Sequence, residues 1–131
     1  MSVSYRIDRR SGVVLSKATG RVTYEDMLGT IKATINDTRR GSPYRELFDL
    51  RDVVEYDIDG DGIKKLVSYV TSRGRLVRFG RVAYVPSKDM VYGIGRIFEA
   101  YASDVPLEFM VFGDIDQASS WVGISLPEWS Q

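Results

Sequence analysis

The stretch Tyr44–Gly62, YRELFDLRDVVEYDIDGDG, constrains the fold more than any other part of the chain. Leu47, Phe48 and Leu50 form a short apolar run that suits a strand covered on both faces. Helical spacing of apolar residues then begins at Ile63, Leu66, Val67 and Val70. Between the two lies an acidic loop, expected to run from Arg51 to Gly62 and ending in Asp57-Ile58-Asp59-Gly60-Asp61-Gly62. Asp59 or Asp61 is the natural N-cap of the helix, with its charge near the positive end of the helix dipole. Gly60 and Gly62 are expected to open turn conformations closed to other residues.

The rest of the chain repeats this rhythm. Val3, Tyr5 and Ile7 alternate with polar residues, Arg9-Arg10-Ser11-Gly12 reads as a turn, and Val13 to Ala18 returns as a second strand. Thr23 opens the first helix, with Asp26 three residues on as a variant of the capping box. Tyr24, Met27, Leu28, Ile31 and Ile35 form its apolar stripe. The second helix is expected from about Asp61 to Ser72, and a fourth strand over Val82 to Val85, ended by Pro86. Ser87 is positioned to cap a third helix carrying Val91, Ile94, Ile97, Phe98 and Tyr101. Leu107 to Phe112 is a fifth strand, and Asp114 caps a short last helix with Ile115, Ala118, Trp121 and Val122. The order is ββαβαβαβα. Strands alternating with helices imply a mostly parallel five-stranded sheet in a single α/β domain, with an antiparallel first strand near an edge. The domain is expected to span 1–131, with 123–131 as a C-terminal tail.

Composition narrows the chemistry. The 18 basic and 18 acidic residues cancel, so no global field favours nucleic acid. There is no cysteine for a thiol nucleophile or thiolate metal site, and no histidine for a Ser-His triad or the commonest zinc ligand. No run is long enough to cross a bilayer and no targeting signal is read, so the expected location is cytoplasmic. Arg73, Arg75, Arg78 and Arg81 make a local basic cluster. Its plain reading is cations near a helix C-terminus and along a solvated strand edge, because aromatic interleaving for nucleic-acid stacking is missing from the pattern.

The element order, with DLRDV followed by DIDGDG at a helix start, resembles the STAS domains of anti-sigma-factor antagonists, and more closely their SpoIIAA-like branch of uncharacterised bacterial proteins. The segment VYGIGRIFEAYA, residues 91–102, resembles the third-helix segment of that branch. The resemblance implies a non-catalytic module that binds a protein partner through the loop and helix start after the third strand. STAS domains carry there a serine, in a D-S-S-G-like motif, whose phosphorylation breaks the complex. The matching stretch is Asp57-Ile58-Asp59-Gly60, where Ile58 and Asp59 stand in place of the two serines. The switch hydroxyl is missing, and an aspartate imitates the phosphorylated state only crudely. The candidate partner-binding residues are Asp49, Arg51, Asp52, Asp57, Asp59 and Asp61.

Three other readings use the same residues or their neighbours. DIDGDG matches the first half of a calcium loop, but position twelve would be Ser68 where a bidentate glutamate is required, so no metal or other cofactor is expected. Carboxylate hydrolysis would draw on Asp49, Asp57, Asp59 or Glu55 without a supporting partner motif. A small-molecule or lipid site is the main alternative, since the SpoIIAA-like branch resembles lipid-binding Sec14-type folds in outline. Its lining would be Phe79, Tyr84, Met90, Tyr92, Phe98 and Tyr101, which helical and strand spacing also assign to the core. Zero net charge and the apolar Leu126 and Trp129 of the tail point to a homodimer.

Overall fold

The computed structural model describes residues 2–89 and 107–125. Strand β1 (Val3–Ile7) folds back on β2 (Val14–Thr23) in antiparallel register from Val3↔Ala18 to Ile7↔Val14. Asp8 holds the turn, accepting from the Ser11 main-chain N–H at 2.9 Å and from the Ser11 hydroxyl at 2.5 Å. Helix α1 (Tyr24–Ile35) starts on the expected capping box: the Asp26 N–H donates to Thr23 Oγ1 and the Thr23 N–H donates to Asp26 Oδ2. Strand β3 (Arg45–Asp57), helix α2 (Gly60–Ser72), a short helix α3 (Gly74–Val77), β4 (Gly80–Pro86), β5 (Leu107–Val111) and helix α4 (Ile115–Val122) complete the described elements. Asp114 caps α4 as expected, accepting from the Asp116 N–H at 2.9 Å. The helix expected to follow Ser87 falls on residues 90–106, outside the described residues.

The sheet order is β1-β2-β3-β4-β5, with β1 antiparallel and every other neighbour pair parallel. Successive residues of the central strands feed opposite faces, as the pleat requires. Val14, Phe48, Leu50, Val82 and Tyr84 pack under α1 and α2 with Met27, Ile35, Leu66 and Val70. Leu15, Leu47, Ala83 and Val85 pack under α4 with Ala118 and Val122. This double coverage is why Leu47-Phe48 reads as a continuous apolar run.

Two boundaries depart from the sequence expectation. Strand β3 does not end near Leu50 but runs to Asp57, because β2 also continues to Thr23 and the two pair as far as Thr23↔Asp57. The supposed loop Arg51–Gly62 is therefore strand up to Asp57, and only Ile58 and Asp59 separate it from α2. Gly60 and Gly62 lie in the first turn of α2, neither with a positive φ. What Gly62 provides is room: a Cβ there would come within 2.9 Å of Ile58 Cγ2.

Candidate functional site

The parallel strands all end at one edge of the sheet, but they end unevenly. Pairing of β3 with β4 stops at Leu50↔Pro86, and pairing of β1 with β2 stops at Val3↔Ala18. Beyond those points Thr19–Thr23 and Asp52–Asp57 continue as a two-stranded ribbon. No described strand pairs with β3 past Leu50 on its β4 side. Val22 and Val53 turn inward and are buried in the layer under α1 and α2.

The ribbon's outward side chains are charged and mostly paired with one another. Lys17 Nζ lies 3.3 Å from Asp52, Arg21 Nε lies 2.8 Å from Glu55, and Arg21 Nη2 bonds Asp57. Among these groups stands Val54, 79% exposed. Asp59 caps α2, accepting from the Gly62 N–H at 2.8 Å, and Asp61 is exposed in the first turn.

Asp49 is placed apart from the other candidates. It is 2% exposed and takes three bonds from Arg51: the main-chain N–H at 3.0 Å, Nε at 2.9 Å and Nη2 at 3.0 Å. Asp49 therefore positions Arg51 and does not itself face a partner. The fold brings Asp52, Asp57, Asp59 and Asp61 to one exposed edge, with Arg51 at the base of the ribbon.

A second polar cluster escaped the sequence reading. Glu46 sits inside the layer beneath α1 and α2, 6% exposed. The Ser16 hydroxyl donates to Oε2 at 2.6 Å and the Tyr44 hydroxyl donates to Oε1 at 2.7 Å. Burial raises the Glu46 pKa, and these two donors oppose that shift. Burial likewise pushes the Tyr44, Tyr56 and Tyr84 hydroxyls up, and Tyr56 Oη is buried without a hydrogen-bond partner. Glu46, Tyr44, Thr34 and Tyr84 border a cavity of about 40 Å³, large enough for water but far below the several hundred Å³ of a drug-sized site. The available signal was parity: Glu46 shares a face with Phe48 and Leu50, two and four residues on.

The residues grouped as a small-molecule lining do not meet in the described structure. Tyr84 borders the Glu46 cavity, stacked between Phe48 and Phe109 at centroid distances of 5.8 and 5.9 Å. Phe79 lies at the opposite, amino end of the strands, 81% exposed, because the chain turns sharply there between α3 and β4. Met90, Tyr92, Phe98 and Tyr101 lie outside the described residues, as do Leu126 and Trp129.

A five-stranded, mostly parallel sheet with helices on both faces is the STAS-like arrangement that the sequence resembled. No protein-family model matches the chain, and no curated protein matches it. A solved structure does: an uncharacterized protein of the DUF3478 family with a SpoIIAA-like fold from Shewanella loihica PV-4, at TM-score 0.61 and 18% identity, over 92% of this chain and 94% of that chain. The fold of this chain is SpoIIAA-like. No helix among the described residues is long and apolar enough to cross a membrane.

Proposed function

We propose that the chain is a cytoplasmic, non-catalytic protein-interaction module, a single STAS-like domain over 1–131 that lacks the phosphorylatable serine. The observation that supports this reading is the ribbon at the carboxyl edge, where β3 outruns β4 and presents Val54 at 79% exposure among charged side chains. A strand side left unpaired by the described strands, with an apolar residue at its centre, is a surface suited to docking. The flanking ion pairs do not oppose it, since exposed pairs contribute only about 0–1 kcal/mol and are readily exchanged for a partner's charges. Asp52, Asp57, Asp59 and Asp61 then set the partner's sign: a basic rim around an apolar contact. The small-molecule alternative gains little from the 40 Å³ cavity; its support lies at the other end of the sheet.

The test is comparative capture from the native host with the wild-type chain and Val54→Arg as baits, followed by reconstitution of any captured protein from purified components. The expected result is a 1:1 complex with the wild type that the folded Val54→Arg chain does not form. Equal binding by both moves the interface elsewhere. The homodimer is part of the same proposal, and light scattering at micromolar concentration decides it: a monomer mass throughout removes it.

A further inference from the structure

The amino end of the sheet carries an arrangement that the interaction reading leaves unused. Between the starts of β3 and β4 and the end of α4 lies a groove of about 280 Å³, lined by Pro43, Arg45, Phe79, Arg81 and Trp121. The basic cluster of the sequence ends here, and the fold adds the Trp121 ring to Phe79, which already lies between Arg78 and Arg81 in the chain. The Arg81 guanidinium lies over the Trp121 ring, 5.1 Å from its centroid, and the Arg78 guanidinium lies 5.7 Å from the Phe79 centroid.

The groove's cations are held mainly by neutral groups. Arg45 donates to the Val122 and Ser11 carbonyls at 2.8 and 2.7 Å. Arg81 donates to the Trp121 carbonyl at 3.2 Å, and its carboxylate neighbour Glu108 stands 3.9 Å from Nε in an exposed pair. Neutral carbonyls fix a guanidinium's orientation without compensating its charge; among the described residues no carboxylate pairs with Arg45, and Arg81 has only the long Glu108 contact. A guanidinium has five N–H donors, so both residues keep donors for a further acceptor.

Phe79 adds two unfavourable features at one position. Its ring is 81% exposed, and its φ of 65° puts a residue bearing a Cβ in the left-handed region. Gly80 follows because a Cβ there would collide with the Tyr44 carbonyl oxygen. An exposed aromatic held in a strained backbone beside Arg45, which meets only carbonyls among the described residues, and Arg81, whose one ion pair is long and exposed, is the pattern of a ligand wall, not of packing.

We propose that this groove binds a small planar ring carrying an oxyanion, an aryl phosphate or aryl carboxylate, with the ring against Phe79 and the oxyanion on Arg45 and Arg81. The guanidinium fork matches both oxyanions in two-pronged geometry, and the volume suits a ligand near the lower limit of ordinary pockets. The site gives the small-molecule alternative a location. It lies at the opposite end of the sheet from Val54, so its failure leaves the interaction reading standing.

Calorimetry on the full chain tests it, with phenyl phosphate, benzoate, inorganic phosphate and phenol as probes. Saturable 1:1 heat is expected from phenyl phosphate or benzoate, whichever binds more tightly naming the oxyanion, with inorganic phosphate weaker and phenol silent. Arg81→Gln should weaken the aryl anion about tenfold, as loss of a charge-assisted bond does. Phe79→Ala should bring it down to the level of inorganic phosphate. Phe79→Gly should raise the thermal midpoint by relieving the backbone while still losing binding, a combination that a packing role would not give. Absence of saturable heat with either aryl anion, or binding unchanged in both Phe79→Ala and Arg81→Gln, overturns the proposal. So does a doubled mass lost in Phe79→Ala without aryl-anion heat, which would make the face a self-association surface.

Discussion

The two ends of the sheet handle charge in opposite ways. At the carboxyl end the acids find cations within the chain: Asp52 meets Lys17, Glu55 and Asp57 share Arg21, and buried Asp49 holds Arg51. At the amino end Arg45 meets carbonyl oxygens, and Arg81 meets a carbonyl, the Trp121 ring and one long, exposed ion pair with Glu108. A net charge of zero therefore conceals an asymmetry. The acids of the ribbon are partly balanced in space, Asp59 and Asp61 standing outside its ion pairs, while the less conspicuous Arg45 meets carbonyl oxygens and no carboxylate among the described residues. Density of charge along a chain is a weak guide to where a field persists after folding, because pairing across strands cancels it.

This contrast assumes that both ends hang on one core. Phe48, which stacks on Tyr84 beneath α1 and α2, ties them through β3. Phe48→Ala should cost about 3–5 kcal/mol, and probes at either end should report one common transition in denaturant. Two separated transitions would make the ends independent units and dissolve the comparison.

A matched pair of substitutions tests the contrast itself. Arg45→Ala removes two charge-assisted bonds to carbonyls in a part-buried setting and should cost about 1.5–3 kcal/mol. Arg21→Ala removes two exposed ion pairs, which water screens, and should cost clearly less than Arg45→Ala. Equal costs, measured by urea unfolding, would erase the distinction.

Glu46 sharpens it through pH. Its partners are hydroxyl groups on the α1/α2 side of the sheet, and burial raises its pKa in the fold above the ordinary 4.5. Between the unfolded and folded values the folded chain binds the proton more firmly than the unfolded chain. Its contribution is full below about 4.5 and is lost as pH climbs through the folded value, with a slope of at most about 1.4 kcal/mol per pH unit. Asp8, Asp26 and Asp37 have lowered values and act in the opposite sense, but only below about 3.8. Glu46→Gln should therefore flatten the decline above pH 4.5 while leaving the acid limb in place. An unchanged profile would show that Glu46 is not the titrating group.

The smallest effect belongs to Val54. With its side chain in solvent, Val54→Arg should alter stability by no more than about 0.5 kcal/mol. A larger loss by thermal or urea unfolding would mean that the ribbon is structural and not a free docking surface.

Much of this molecule is decided over distances of a few residues, and that part the sequence determined alone. The Thr23–Asp26 box, the Asp59 and Asp114 caps, the Asp8 turn region and the apolar stripes of α1 and α2 all rest on contacts within about one helical turn. The element order and the mostly parallel sheet followed from those local units, because alternating strands and helices have few ways to bury both faces. Other features depended on which distant segment stood alongside. Residues 51–57 became strand because β2 was long enough to pair with them. Lys17 and Arg21, which precede that segment by about thirty residues or more, offset two of the three negative charges of Asp52, Glu55 and Asp57. Glu46 was buried because α1 and α2 close over its face, and Phe79 was left in solvent because the turn before β4 points it out of the core. Local sequence sets backbone preference and capping; only tertiary pairing decides which charges meet, and hence which remain for a partner or a ligand.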